Sequence, residues 1–210
     1  FNGVPPIERD PAIRARTRRE LKLSPQTGMI LNIGRLVPEK AQLLLVEAAG
    51  IVLKSGGDFH FFIAGEGPLR SDLENRIREL GLEGRFTLLG NRSDVPALLN
   101  AVDLFVLYSA TEGMPISLME AMSAGVPVIA SDLEGIAEIV NAPEIGTLIT
   151  FGDPSLLASA VLDTLQDKQN LEQIAENGQR RILHDFTLAE SCRNYLELFS
   201  SPHPTETEYN

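Results

Sequence analysis

The sequence has little cysteine and no long apolar run, and each shortage disfavours a class of protein. Cys192 is the only cysteine among 210 residues, so no intramolecular disulfide can form and a reducing, cytoplasmic setting is expected. We expect this thiol to be packed on a C-terminal helix. No apolar run approaches the roughly 20 residues that a membrane-spanning helix needs. A disulfide-stapled secreted domain and an integral membrane protein are therefore disfavoured.

Positive charge and metal-ligand patterns are also scarce. The 18 lysines and arginines face 29 acidic residues, and the formal net charge of -11 argues against nucleic acid or an anionic membrane surface as a partner. The three histidines lack metal-ligand spacing, and there is no Asp-x-Asp sequence, no Gly-x-Ser-x-Gly elbow and no Walker lysine loop. Metal-dependent sugar transfer, triad hydrolysis and P-loop chemistry lose support, and no metal or cofactor is expected.

Short apolar runs alternate with amphipathic stretches along the chain. The predicted strands are Met29 to Gly34, Phe59 to Ala64, Phe86 to Leu89, Leu104 to Tyr108, Val126 to Ser131 and Thr147 to Thr150. The predicted helices are Pro38 to Lys54, Gly67 to Leu80, Asp94 to Asn100, Pro115 to Ala124, Pro154 to Leu165, Leu171 to Leu183 and Leu188 to Phe199. This alternation predicts an α/β domain with a Rossmann-like, doubly wound parallel sheet, which binds ligands at the carboxyl ends of its strands. We expect one domain over residues 1–199 and a disordered polar tail over residues 200–210.

The segment from Thr111 to Met122 carries the most chemical information. Pro115 suits a first helical position and leaves neighbouring N–H groups free for an anion, while Gly113 lets the backbone approach a ligand closely. Glu120 would lie roughly 7 to 8 Å along the helix from Pro115, comparable to the distance from a diphosphate to a ribose. One of the two carboxylates could then bind sugar hydroxyls and the other ribose hydroxyls. An ordinary capped helix with Glu120 on a solvated face is the commoner meaning of an isolated pair.

Two cations follow the first predicted strand directly. Arg35 offers a planar fork and Lys40 a point charge, which suit two oxygens of a diphosphate. The alternative is a solvated lysine. Lys40 is predicted in the first turn of the long helix, where the macrodipole disfavours a cation. This unfavourable placement supports a functional role for Lys40.

Two further loops follow predicted strands. The segment Gly65 to Pro68 lacks the third glycine of a dinucleotide fingerprint, so it is interpreted as a tight turn. After the third strand, Asn91 and Arg92 precede Asp94, which with Ser93 is a candidate N-cap. Helix capping and base recognition both stay open for this loop.

The order of three motifs resembles a known family. Gly34-Arg35 to Lys40, Glu112 to Glu120, and Gly125 to Ser131 together resemble the C-terminal, donor-binding domain of retaining glycosyltransferases of the GT-B fold, family 4, also called glycosyl transferases group 1. The resemblance covers roughly residues 2–199, with Asn2-Gly3-Val4 matching the usual start of this domain. It implies one half of a GT-B fold. An N-terminal acceptor domain is then absent from the chain, which starts like the middle of a longer polypeptide.

The resemblance also implies roles for individual residues. Arg35 and Lys40 would contact the donor diphosphate, Glu112 would lie near the donor sugar, and Glu120 would bind the ribose. The remaining expected ligand contacts are Gly34, Gly113, Met114, Pro115 and Ile116 around the sugar and phosphates, with Asn91 and Arg92 near the base. Departures at Ala41, Glu134 and Ala137 leave the loop details and the sugar identity in question.

The implied reaction is transfer of a hexose from a nucleoside-diphosphate sugar, with a UDP-sugar as the expected donor, to an acceptor hydroxyl in glycan or polysaccharide biosynthesis. Retention of configuration and independence from metal are part of this expectation. The chain alone is expected to bind donor without turnover and to make no membrane contact, whereas peripheral attachment of the full-length protein at the inner face of the membrane stays open. A non-catalytic nucleotide-sugar-binding module, a GT-B epimerase and a glucan synthase are alternatives. A nicotinamide-dependent dehydrogenase is disfavoured by the missing fingerprint at the first strand.

Overall fold

The computed structural model describes residues 2–200, except for the side chains of residues 168, 198 and 200. Its centre is a six-stranded sheet in which all paired strands run parallel, in the order β3-β2-β1-β4-β5-β6. The strands are β1 (Gly28–Ile33), β2 (Phe59–Ala64), β3 (Phe86–Gly90), β4 (Leu104–Leu107), β5 (Val128–Ser131) and β6 (Thr147–Ile149). Each predicted strand is confirmed to within two residues, and so is the doubly wound, Rossmann-like fold class. The predicted tail lies, apart from Ser200, outside the described residues.

Helices connect and cover these strands. They are α1 (Pro11–Glu20), α2 (Gln42–Lys54), α3 (Arg70–Glu79), α4 (Val95–Ala101), α5 (Ile116–Ser123), α6 (Glu134–Ala137), α7 (Pro154–Gln166), α8 (Lys168–Asp185) and α9 (Leu188–Ser200). Helix α1 was not predicted; its N-cap Asp10 accepts a hydrogen bond from the backbone N–H of Ala12 over 2.7 Å. In the described part of the chain, none of the helices combines the length and apolarity that crossing a bilayer requires.

The apolar core consists of two clusters, one on each face of the sheet. Because successive side chains of a strand point to opposite faces, Phe61 joins one cluster and Phe62 the other. Helices α2, α3 and α7 cover the Phe61 face, and α4, α5, α6 and α8 contribute to the Phe62 face. Burial on both faces explains why the strands are nearly continuous apolar runs.

Several side chains of α9 are exposed to solvent. Cys192 lies on this helix as predicted, but the expectation of a packed thiol is wrong because the residue is exposed. Tyr195, Leu196 and Phe199 on the same helix are exposed as well. The physical reason is that, among the described residues, the two core clusters are completed by elements before α9.

The strand order reverses between β1 and β4. The chain builds outward from β1 through β2 to β3 and then returns to place β4 on the other side of β1. The pairing of β1 with β4 covers only Ile30 with Leu104 and Leu31 with Phe105. Beyond it, the side-chain amide of Asn32 donates to the carbonyl of Val106 over 2.8 Å. A crevice at the carboxyl ends of β1 and β4 is the position at which such sheets bind ligands.

The connection from β1 to α2 differs from the prediction. A single helix from Pro38 was expected, whereas the structure has a short 3-10 turn at Pro38–Lys40, and α2 begins at Gln42. Ala41 separates them in the left-handed conformation, with φ of 47° and ψ of 34°. A left-handed residue cannot continue the helical hydrogen-bond ladder. Lys40 therefore lies outside the first turn of α2, and the macrodipole argument does not apply to it.

Ala41→Gly is expected to stabilise the fold by about 0.5 to 1 kcal/mol, because glycine avoids the left-handed penalty but loses more chain entropy. Lys22→Gly, at φ of 57° just after α1, is the matched comparison and should give a similar gain. Urea unfolding of both variants measures the change. A gain at Lys22 together with a loss at Ala41 would show that the loop before α2 does not need this conformation.

Candidate functional site

Two predicted site residues from different loops meet at the switch point. The Nζ of Lys40, after β1, donates to Oε1 of Glu112, after β4, over 2.6 Å. The two loops are also joined by the backbone, since the N–H of Ala110 donates to the carbonyl of Glu39 over 2.8 Å. The Glu112 side chain is 7% exposed and that of Lys40 is 27% exposed. A nearly buried carboxylate is thus compensated by one partly exposed cation.

Arg35 supplies a second cation at the same edge. Its side chain is exposed and forms no ion pair within residues 2–200, while its carbonyl accepts from Nε2 of the buried Gln42 over 2.8 Å. The loop is therefore fixed by its backbone, and the guanidinium stays free. Gly34 donates its N–H to the carbonyl of Ala64, so that N–H is not available to a ligand.

The turn Gly65 to Pro68 is confirmed as a tight turn, and it supports the loop after β1. Gly65 has a φ of 150°, and a Cβ placed there would come within 1.9 Å of the carbonyl oxygen of Gly34. The N–H of Leu36 in turn donates to the carbonyl of Glu66 over 3.0 Å. Only glycine permits this approach, which explains a Gly-x-Gly sequence without a dinucleotide fingerprint.

The N-terminus of α5 faces the same crevice without a side-chain cap. Pro115 is the N-cap residue, with ψ of 110°, rather than the first helical residue as predicted, because its backbone is extended. The first N–H groups of α5, starting with Ile116, therefore lack helical acceptors. Gly113 precedes them, and a Cβ added there would meet no described atom within 4 Å. The uncapped start of α5 and the open glycine therefore lie side by side along the chain.

The start of α6 forms the opposite wall of this space. Gly135 packs on the loop so closely that a Cβ there would lie 1.6 Å from the carbonyl oxygen of Gly113. Between the two segments is a cleft of about 450 Å³, which is lined in part by the acidic residues Glu112, Glu134 and Glu138. The cleft therefore continues from the Lys40–Glu112 pair along the α6 side, and its wall is acidic.

Glu120 lies inside α5 and is half-buried rather than fully solvated. Burial raises the pKa of its carboxyl group above the ordinary value of 4.5. Its carboxylate forms no ion pair in the part of the chain that the structure describes. A half-buried acid without a paired cation lowers the stability of the fold, and acids placed in this way are common in binding sites.

Glu120→Gln is expected to raise stability at neutral pH and to flatten its pH dependence. The folded chain holds a proton on Glu120 more tightly than the unfolded chain, so stability falls as the pH rises from 4.5 through the raised pKa. A glutamine side chain at position 120 does not titrate, so the variant should not show this loss of stability. Urea midpoints measured from about pH 4 to about pH 7 test the difference. The expectation would be contradicted if the urea midpoints of the two proteins changed with pH in the same way.

Asn91 and Arg92 also follow the carboxyl end of a strand, but that strand is β3, two positions away from β1 in the sheet. Asp94 is the N-cap of α4, as one predicted alternative had it, yet its side chain makes no capping hydrogen bond. Instead, Nε and Nη2 of Arg92 donate to its two carboxylate oxygens over 2.7 and 2.6 Å. Hydrogen bonding to Arg92 lowers the pKa of Asp94. The structure brings neither Asn91 nor Arg92 into contact with Lys40 or Glu112.

A larger cleft, of about 580 Å³, lies near the amino ends of the central strands, and its lining includes Arg9, Gly125 and Glu176. Next to it, Asp103 accepts from the nearly buried Arg18 over 3.1 Å and from the N–H of Met29 over 2.7 Å. This network fixes the amino end of β4, and it was not predicted. The only indication of this network in the sequence was the group of arginines in α1. The cleft lies away from the strand carboxyl ends, so its size does not make it the candidate site.

The sheet order and its flanking helices define a Rossmann-like α/β domain, and comparison with known proteins identifies its family. Residues 13–181 match the family Glycosyl transferases group 1, and the chain belongs to this family. It is 33% identical over 203 residues to the UDP-Gal:alpha-D-GlcNAc-diphosphoundecaprenol alpha-1,3-galactosyltransferase of Escherichia coli, covering 94% of this chain and 52% of that protein. It is 34% identical over 152 residues to the alpha-D-kanosaminyltransferase of Streptomyces kanamyceticus, covering 71% and 39%.

Solved structures share this fold. The chain superposes with a TM-score of 0.87 and 28% identity on Anabaena Alr3699/HepE in complex with UDP and glucose, covering 93% of this chain and 54% of that one. The C-terminal domain of the group 1 glycosyl transferase LpcC from Francisella tularensis shares the fold at 22% identity and a TM-score of 0.77, covering 87% of this chain and 96% of that one. The chain spans about half the length of the galactosyltransferase that it matches.

Proposed function

We propose that residues 1–199 are the C-terminal donor-binding domain of a retaining family 4 glycosyltransferase. The full protein transfers a hexose from a nucleoside-diphosphate sugar, UDP-linked in the first instance, to an acceptor hydroxyl. The observation that carries the proposal is the Lys40–Glu112 pair at the switch point, between the unpaired Arg35 and the uncapped α5. A relative of similar structure that holds UDP and glucose supports it.

The diphosphate is assigned to the positive side of the crevice. Arg35 and Lys40 contact its oxygens, together with the free N–H groups around Gly113, Met114 and Ile116. These groups stabilise the charge that develops on the departing diphosphate, so that the reaction needs no metal. No general base is assigned within this domain.

The rest of the donor follows from the position of the carboxylates. Glu112 binds hydroxyls of the sugar in the cleft next to α6, and Glu120 binds the ribose hydroxyls from α5. The base extends toward β3, where Asn91 offers an exposed amide and Arg92 is already paired with Asp94. The donor then crosses the carboxyl ends of β4, β1 and β2 before reaching β3.

The other half of the protein completes the enzyme. Relatives such as the galactosyltransferase are about twice as long as this chain, and we assign acceptor binding to the part that the chain lacks. The domain alone binds donor without transferring it. We place the full-length protein in the cytoplasm, in glycan or polysaccharide biosynthesis, with no nucleic-acid partner and no membrane contact through this domain. Its net charge of -11 and single cysteine support this placement.

Thermal unfolding with a panel of ligands tests the proposal. UDP, GDP, ADP, their hexose conjugates and NAD are added to the chain with and without EDTA. A ligand that binds only the folded state raises the melting temperature. We expect a rise with one nucleotide and its conjugates, unchanged by EDTA and lost in Arg35→Ala and Glu120→Ala. A rise with NAD alone, or no rise with the chain and the full-length protein, would refute the donor site. The anomeric configuration of the full-length protein's product then tests retention.

A further inference from the structure

Ser109 makes a contact with the candidate site that the proposed roles do not include. It follows β4, is 0% exposed, and donates its Oγ hydrogen to Oε1 of Glu112 over 2.8 Å. Lys40 donates to the same oxygen over 2.6 Å. The other oxygen, Oε2, accepts no hydrogen bond from the described residues. The carboxylate is therefore held at one oxygen, and the second remains an open acceptor.

We propose that Ser109 is a positioning residue that fixes the Glu112 carboxylate for recognition of a donor-sugar hydroxyl. The inference rests on the proposed function. The terminal torsion of glutamate is broad, so a carboxylate without an anchor rotates freely between orientations. An anchor at Oε1 presents Oε2 to the cleft in one orientation, where it accepts a hydrogen bond from the sugar. Fixing an acceptor in advance lowers the entropic cost of binding.

The importance of Ser109 depends on whether the donor is bound. In the ligand-free chain, Lys40 and Ser109 anchor Glu112 together, and either can hold the carboxylate. A bound diphosphate attracts Lys40, because a phosphate competes with the carboxylate for the same ammonium group. Ser109 then becomes the remaining anchor. Its hydroxyl should therefore affect recognition of the sugar more than it affects folding or binding of the nucleotide alone.

The chain offers a matched control at Ser131. This serine is also 0% exposed and ends β5, the strand next to β4. Its Oγ has no hydrogen-bond partner among the residues that the structure describes. Deleting either hydroxyl removes the same atom from a buried position at the same edge of the sheet. Only the hydroxyl of Ser109 is connected to Glu112.

The experiment compares affinities for UDP and for UDP-glucose, UDP-galactose and UDP-N-acetylglucosamine by calorimetry. The ratio of the two dissociation constants, nucleotide over nucleotide sugar, measures the contribution of the sugar. We expect Ser109→Ala to lower this ratio by about tenfold, because a hydrogen bond to a charged group is lost, and to leave the affinity for UDP unchanged. Ser131→Ala should change neither quantity. Ser109→Thr, which keeps a hydroxyl, should restore the ratio if melting curves show it folded.

A double variant shows whether Ser109 acts through Glu112. In a Glu112→Gln background, Ser109→Ala should lower the ratio no further. An unchanged ratio in Ser109→Ala, or an equal fall in the affinities for UDP and UDP-sugar, would overturn the inference in favour of a purely structural role. A wild-type chain that binds UDP but gains nothing from any sugar would also overturn it. Absence of nucleotide binding by the wild-type chain and the full-length protein would instead refute the proposed function itself.

Discussion

Lys40→Met is expected to lower the free energy of unfolding by about 3 kcal/mol, at the low end of the range for breaking a buried ion pair. The variant leaves the Glu112 carboxylate, which is 7% exposed, with Ser109 as its remaining anchor. Lys40 is 27% exposed, so water partly compensates and the larger losses of fully buried pairs are not expected. Urea unfolding of the wild-type and variant chains measures the loss.

Two further variants separate this effect from a general effect of removing positive charge. Glu112→Gln combined with Lys40→Met should recover most of the lost stability, because no unpaired carboxylate remains. Arg35→Met removes a cation of the same loop whose side chain is exposed, and it should change stability little. Equal losses in Arg35→Met and Lys40→Met would show that the pair does not stabilise the crevice.

Gly113→Ala is expected to weaken binding of the nucleotide sugar by about 10- to 200-fold, the range for one misplaced methyl-sized group in a pocket. A Cβ at this position meets no described atom within 4 Å, so the added methyl group projects into the open crevice. Stability should stay the same or rise slightly, since alanine restricts the unfolded chain more than glycine does. Calorimetric titration and thermal unfolding measure the two quantities.

Gly84→Ala is the matched control for this substitution. A Cβ at Gly84 also meets nothing within 4 Å, and the residue lies in the turn before β3, at the other edge of the sheet. The same change in chain entropy should occur there without any effect on ligand affinity. A loss of affinity in both variants, or a loss of stability in Gly113→Ala alone, would mean that the methyl group acts on the fold and not on the ligand.

The sequence predicted the sheet well because the strands are buried on both faces. Continuous apolar runs identified all six strands of the sheet, and the alternation with helices implied their parallel arrangement. The carboxyl ends of β1 and β4 then followed as the place for Arg35, Lys40 and Glu112. The end of a strand is a local property that the apolar pattern of the sequence marks directly, so this part of the site needed no tertiary information.

Features without a local apolar pattern were missed. Helix α1 is rich in arginine, and its buried residues are Thr17 and Arg18, so hydrophobic periodicity does not identify it. The Asp10-Pro11 sequence, an N-cap residue followed by proline at the first helical position, was the available signal. The start of α2 was misplaced for a related reason, since nothing in the identity of Ala41 indicates a left-handed backbone.

The contacts that shape the crevice were out of reach of sequence reasoning. The Lys40–Glu112 pair and the approach of Gly135 to Gly113 each join segments of different loops. Their geometry depends on how the loops pack against one another after the sheet has formed. The same holds for Ser109, whose importance rests on the orientation of one carboxylate. The spacing of residues in the sequence does not determine the packing of these loops or the orientation of this carboxylate.

The central claim is that the donor binds at the carboxyl ends of β1 and β4. Backbone amide chemical shifts, recorded while UDP or a UDP-sugar is titrated into the labelled chain, test it most directly. The account predicts that the largest changes occur at Arg35, Gly113 and Ile116, with smaller ones at Glu120. Changes concentrated at Arg9, Gly125 and Glu176, around the larger cleft near the amino ends of the strands, would contradict it.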